Sequence, residues 1–88
     1  MPRPTRTAND AIAELSRRIR ARREELERTQ EQVAYAAGVA VGWYASLERG
    51  QRLRPELPSV LAVAEALEME AGDLFRGLKA DRLPRGRP

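Results

Sequence analysis

The chain has 88 residues, 42% hydrophobic and 33% charged, with no cysteine and no histidine. That length makes one small domain with a limited core. The missing residue types exclude disulfides, Cys/His zinc sites, thiol nucleophiles and imidazole catalysis.

No apolar run approaches the ~18 residues of a membrane span. The N-terminus lacks an apolar signal region, which points to a cytoplasmic protein. The net charge of +3 conceals an uneven spread. Residues 1–54 hold eleven arginines against seven acids, residues 55–75 hold five acids and no base, and residues 76–88 hold five bases and one acid. Fifteen of the sixteen basic residues are arginine, the side chain suited to bidentate phosphate contact. Such a basic N-terminal portion is the electrostatic footprint of a nucleic-acid binder.

In chain order, residues 1–8 read as a flexible basic arm, with prolines at 2 and 4. Thr7 and Asp10 form an approximate capping box. The apolar residues Ile12, Leu15, Ile19 and Leu26 then fall at helical spacing, which predicts a first helix over 9–27. Its other face carries Arg17, Arg18, Arg20, Arg22 and Arg23. Thr29 and Gln32 form a cleaner capping box and open a second helix over 30–37, with Val33 and Ala34 inward. Gly38 suits the left-handed stop of that helix, and Val39 plugs the turn. A third helix is predicted over 41–49, with Tyr44 and Leu47 inward and Gly50 as its stop. After an arginine-rich loop broken by Pro55, a fourth helix spans 57–68 with Pro58 in its first turn. A fifth covers 71–78 and presents Leu74, Phe75 and Leu78. The expected organisation is thus a domain at 9–78 followed by a flexible basic tail at 79–88.

Two short helices joined through one glycine make a helix-turn-helix, whose second helix is shaped to enter the DNA major groove. No acid pair, nucleophile–base set or metal cluster stands out, so no enzyme and no cofactor are expected; Glu24 and Glu25 are adjacent and do not share a helical face.

The segment from about Leu15 to Phe75 resembles the Cro/CI-type (XRE) helix-turn-helix family, including an actinobacterial branch of it. The marks are Arg22-Arg23, Thr29-Gln30, Ala34, Gly38-Val39, Leu47-Glu48-Arg49-Gly50, Pro55 and Asp73-Leu74-Phe75. The resemblance implies an all-α, compact five-helix bundle of the phage-repressor type. It implies DNA phosphate contacts from Arg22, Thr29, Gln30, Arg49, Arg52 and Arg54. Base or groove contacts fall on Ala40, Val41, Gly42, Trp43 and Ser46, a set poor in hydrogen-bonding groups, with Arg28 and Arg49 as alternative arms to a base edge. Glu48 is expected to pair with an arginine of the first helix or to bond local backbone, and the Tyr44 hydroxyl to find a partner in the core; Trp43 is expected to brace the structure, with contact to the DNA backbone or to a protein partner as its other uses. Glu68 stands where a helix-ending glycine is usual.

These features predict a bacterial, nucleoid-associated transcription regulator that represses or autoregulates, binding a palindromic operator in double-stranded DNA as a homodimer. Leu74, Phe75 and Leu78 are the candidate dimer contacts, with closure of the core as their other use. No small-molecule effector is evident. The alternative is a protein-interaction module, or a non-specific DNA binder, that keeps the fold with a degenerate reading helix.

Overall fold

The computed structural model describes residues 8–79. The expected arm and tail, and Thr7 of the first capping box, lie outside the described residues, apart from Ala8 and Lys79. The described chain forms five helices and no strand: α1 Ala8–Glu25, α2 Gln30–Ala37, α3 Val41–Glu48, α4 Leu57–Ala66 and α5 Ala71–Phe75. The all-α bundle expected from the sequence is the fold observed.

Local chemistry explains most boundaries. The Thr29–Gln32 box is complete: the Gln32 amide donates to Thr29 Oγ1 at 3.0 Å, and the Thr29 amide donates to Gln32 Oε1 at 2.9 Å. Four helices then end the same way, with one residue in the left-handed region and two backward amide bonds that satisfy terminal carbonyls. Gly38 closes α2 at φ 75° and Gly50 closes α3 at φ 72°. Glu27 and Glu68 fill the same position after α1 and α4, at φ 55° and 56°. The backward bonds form there as they do at glycine; the Met69 amide reaches the Ala64 carbonyl at 2.9 Å and the Arg28 amide the Arg23 carbonyl at 3.2 Å. Because those turns start early, α1 and α4 stop two residues before the ends expected from periodicity. The fifth helix also stops at Phe75, with Gly77 left-handed just beyond.

α2 packs on α3 and α4, α1 on α3 and α5, and α4 on α5. The core lies between them and is built from Leu15, Ile19, Val33, Tyr44, Leu47, Val63, Leu67 and Leu74 among others. Leu74 is wholly buried. Burial of such side chains contributes about 1.5–3 kcal/mol each and so drives assembly of helices too short to persist alone.

Arginines of α1 and of the turn after it fasten the bundle at its helix ends. Arg18 Nη1 donates to the Leu74 carbonyl at 2.9 Å, at the end of α5. Arg22 Nε donates to the Leu67 carbonyl at 2.9 Å, and Arg28 Nη1 to the Ala66 carbonyl at 2.7 Å. Each cation satisfies carbonyls that have no intrahelical partner and faces the negative end of a helix dipole.

Candidate nucleic-acid interface

The turn Gly38–Ala40 sets α2 and α3 against each other, and a buried carboxylate locks the pair to α1. The Glu48 side chain accepts Arg23 Nε at 2.6 Å, Arg23 Nη2 at 3.0 Å and Gln30 Nε2 at 3.0 Å. Burial alone would raise the Glu48 pKa, but the groups around the carboxylate, the Arg23 guanidinium first, outweigh it and hold the carboxyl below its usual value. The expected pairing of Glu48 with helix one is therefore met by Arg23. Gln30, at the N-terminus of α2, spends one amide hydrogen on Glu48 and keeps a second for another acceptor. Tyr44 is wholly buried, as expected, but its hydroxyl finds no hydrogen-bond partner among the described residues. Burial first, and then the nearby Glu48 carboxylate, push its pKa far above the ordinary phenol value.

The start of α3 is open. Ala40, Val41 and Gly42 are exposed, while Trp43 is half-buried and packs against the core, as a bracing side chain would. Ser46 departs from expectation. It is buried, and its hydroxyl is engaged twice within the fold, donating to the Trp43 carbonyl at 2.7 Å and accepting Arg52 Nε at 2.8 Å. It faces the interhelical packing, so it offers no free group to a base.

The arginines divide sharply. Arg17, Arg18, Arg20, Arg22, Arg23, Arg28 and Arg76 each sit in an ion pair with a carboxylate. Arg49, Arg52 and Arg54 have no carboxylate partner among the described residues, and all three are exposed at the end of α3 and in the loop after it. Arg22, expected at a phosphate, is instead committed to the Leu67 and Glu68 carbonyls and to Glu25. Arg28, expected as an arm to a base, is held by Ala66 and Glu68. Both placements have one cause: long side chains at the end of α1 and in the turn after it reach the exposed carbonyls at the end of α4. Thr29 Oγ1 is likewise occupied as a helix cap.

Residues 14–78 match the family model described as a helix-turn-helix domain. The chain belongs to this helix-turn-helix family. Its fold is also similar to the crystal structure of the restriction-modification controller protein C.AhdI from Aeromonas hydrophila, with a TM-score of 0.69 and 31% identity over 73% of this chain and 96% of that one. No curated protein matches the chain. The Cro/CI-type resemblance read from the sequence therefore holds, and α2 and α3 are the helix-turn-helix.

Within this helix-turn-helix domain four of the five acids of residues 55–75 gather in one groove. Glu65, Glu68, Glu70 and Asp73 line a groove with Arg22 and Glu25. Of the candidate dimer contacts, Leu74 is core, whereas Phe75 and Leu78 are half-buried against it. Leu53, Leu57 and Leu61 are exposed instead, the last two one turn apart on α4. Sequence reasoning gave no weight to Tyr35, which projects from α2 with 88% of its surface exposed. Its place just past the buried Val33-Ala34 pair was the available signal, since the next helical step turns outward.

Proposed function

We propose that this helix-turn-helix domain is a sequence-specific transcription regulator, a repressor or autoregulator, that inserts α3 into the major groove of double-stranded DNA. The observation that carries the reading is the segregation of arginine. Among the described residues, the arginines that tie helices together are neutralised by carboxylates, and the three without one lie at the end of the second helix of the motif and in the loop after it. Arg49, Arg54 and the free amide hydrogen of Gln30 are the phosphate contacts of this reading, with the N-terminus of α2 adding backbone donors. Ala40 and Val41 pack on thymine methyl groups, and Trp43 braces α3 from behind.

Two copies would bind half-sites about one helical turn apart, so the operator is a palindrome. The dimer contact is assigned to Phe75 and Leu78, with Leu57 and Leu61 as the exposed apolar surface of α4. Similarity to a restriction-modification controller favours that role over a phage repressor or an antitoxin. Selection of binding sites from random duplex DNA, followed by footprinting, tests the proposal. A palindromic motif whose binding is weakened by Gln30→Ala and Arg49→Ala is the expected result. Recovery of no motif would overturn it in favour of an interaction module.

A further inference from the structure

A domain that reads base edges by hydrogen bonds needs donors or acceptors on the face it presents. The face of α3 presents Ala40, Val41, Gly42 and Ala45, none of them polar, and the nearby Ser46 hydroxyl is buried. That hydroxyl nonetheless brings a polar group to the helix. We infer that Arg52, a loop residue held on α3 by Ser46, is the side chain that reads a guanine. The inference rests on the DNA-binding reading above and adds the residue that gives it base specificity.

Three features of the structure carry this assignment. The single hydrogen of the Ser46 hydroxyl is spent on the Trp43 carbonyl at 2.7 Å, so the oxygen acts toward Arg52 only as an acceptor, and the Arg52 Nε donates to it at 2.8 Å. This anchors the guanidinium by its inner nitrogen. The two terminal nitrogens have no partner among the described residues, and they form the planar fork that matches guanine O6 and N7. Gly42 lies one turn before Ser46 on the same helical face. A methyl group built there would meet nothing within 4 Å, so the surface one turn before the Ser46 anchor is open. Finally, Arg52 is set apart from the other free arginines by how it is tied. Arg49 is bonded only to the exposed Gln51 at 3.2 Å, and Arg54 has no side-chain bond among the described residues; neither is held on the reading face. An arginine already placed on the helix loses less side-chain freedom on binding than one recruited from solution.

Site selection from random DNA with four variants tests this. The wild-type protein is expected to select a motif with a guanine in each half-site. Arg52→Ala and Arg52→Lys should keep the rest of the motif and lose that guanine, with preference over other bases falling about tenfold or more. Lysine keeps the charge, so Arg52→Lys should hold affinity for unrelated duplex near wild type. Ser46→Ala should weaken the guanine preference without changing non-specific affinity, and Ser46→Thr should restore it; a merely structural serine would move neither selectivity readout. Thermal melting confirms that each variant is folded, and Arg52, being exposed, can be replaced without touching the core.

A wild-type motif without guanine would overturn the inference. So would a guanine retained in both Arg52 variants with uniformly weaker binding, the signature of a phosphate contact. A guanine preference intact in Ser46→Ala would remove Ser46 as the positioning residue. Absence of any wild-type motif would overturn the DNA-reading function itself, a separable result.

Discussion

At the residue scale, Glu48 shows how one carboxylate can organise a small protein. Three donors from α1 and α2 converge on it inside the bundle, and its pKa is held down despite burial. A carboxyl whose folded pKa is depressed adds stability in full above its unfolded value, near 4.5, and loses it as pH falls through the folded value. Glu48→Gln leaves Arg23 without its counter-charge and should cost about 2–3 kcal/mol at neutral pH. Urea unfolding from pH 7 downward should show the two proteins converging below about pH 4.5. A gap that stays constant with pH would refute the role of the charge. The residues themselves disclosed the pair but not its full environment. Glu48 near an arginine of helix one was legible from the sequence; the Gln30 amide on the same carboxylate, and the unpartnered Tyr44 hydroxyl, depend on angles between helices.

At the element scale, helix ends decide more than helix interiors. Glycine occupies the left-handed stop after α2 and α3, whereas Glu27 and Glu68 hold it after α1 and α4. A non-glycine residue in that conformation is strained by roughly 1–2 kcal/mol. Replacing either glutamate with glycine should therefore stabilise the domain. The gain should be larger at Glu27, because Glu68 also holds Arg28 at 2.7 Å, a partly exposed pair that contributes up to about 1 kcal/mol. Thermal melting of Glu27→Gly and Glu68→Gly orders the two. Gly42 presents the opposite case, a glycine inside α3 with helical backbone and free space where a methyl would go. Gly42→Ala should stabilise by about 0.5–1 kcal/mol. It should also weaken DNA binding, since the methyl would narrow the open surface one turn before Ser46, where Arg52 is anchored. Melting temperature and affinity moving in opposite directions is the expected outcome.

At the scale of the whole molecule, the charge pattern separates a structural set of arginines from a functional one. Binding dominated by phosphate contacts falls steeply with salt, and each contact removed lowers the slope of log affinity against log salt by about 0.9. Arg49→Ala and Arg54→Ala should each flatten that slope by about one per protomer while leaving stability near wild type. Arg22→Ala should do the reverse, lowering the melting temperature because the carbonyls of Leu67 and Glu68 lose their donor, with the slope unchanged. Titration of duplex DNA at several salt concentrations, alongside melting curves, distinguishes the sets.

The sequence by itself determined the five helices, the capping box at Thr29, the glycine stops at Gly38 and Gly50, and the helix-turn-helix. Those features are written in contacts between residues three to five apart, which any stretch of chain carries with it. Only the tertiary structure decided which arginines remain free, because Arg22 meets Leu67, Arg23 meets Glu48 and Arg28 meets Ala66 across long separations in the chain. It likewise turned Ser46 inward and laid Arg52 upon it. A long flexible cation takes the nearest unsatisfied acceptor, and which acceptor is nearest is settled by the packing of helices.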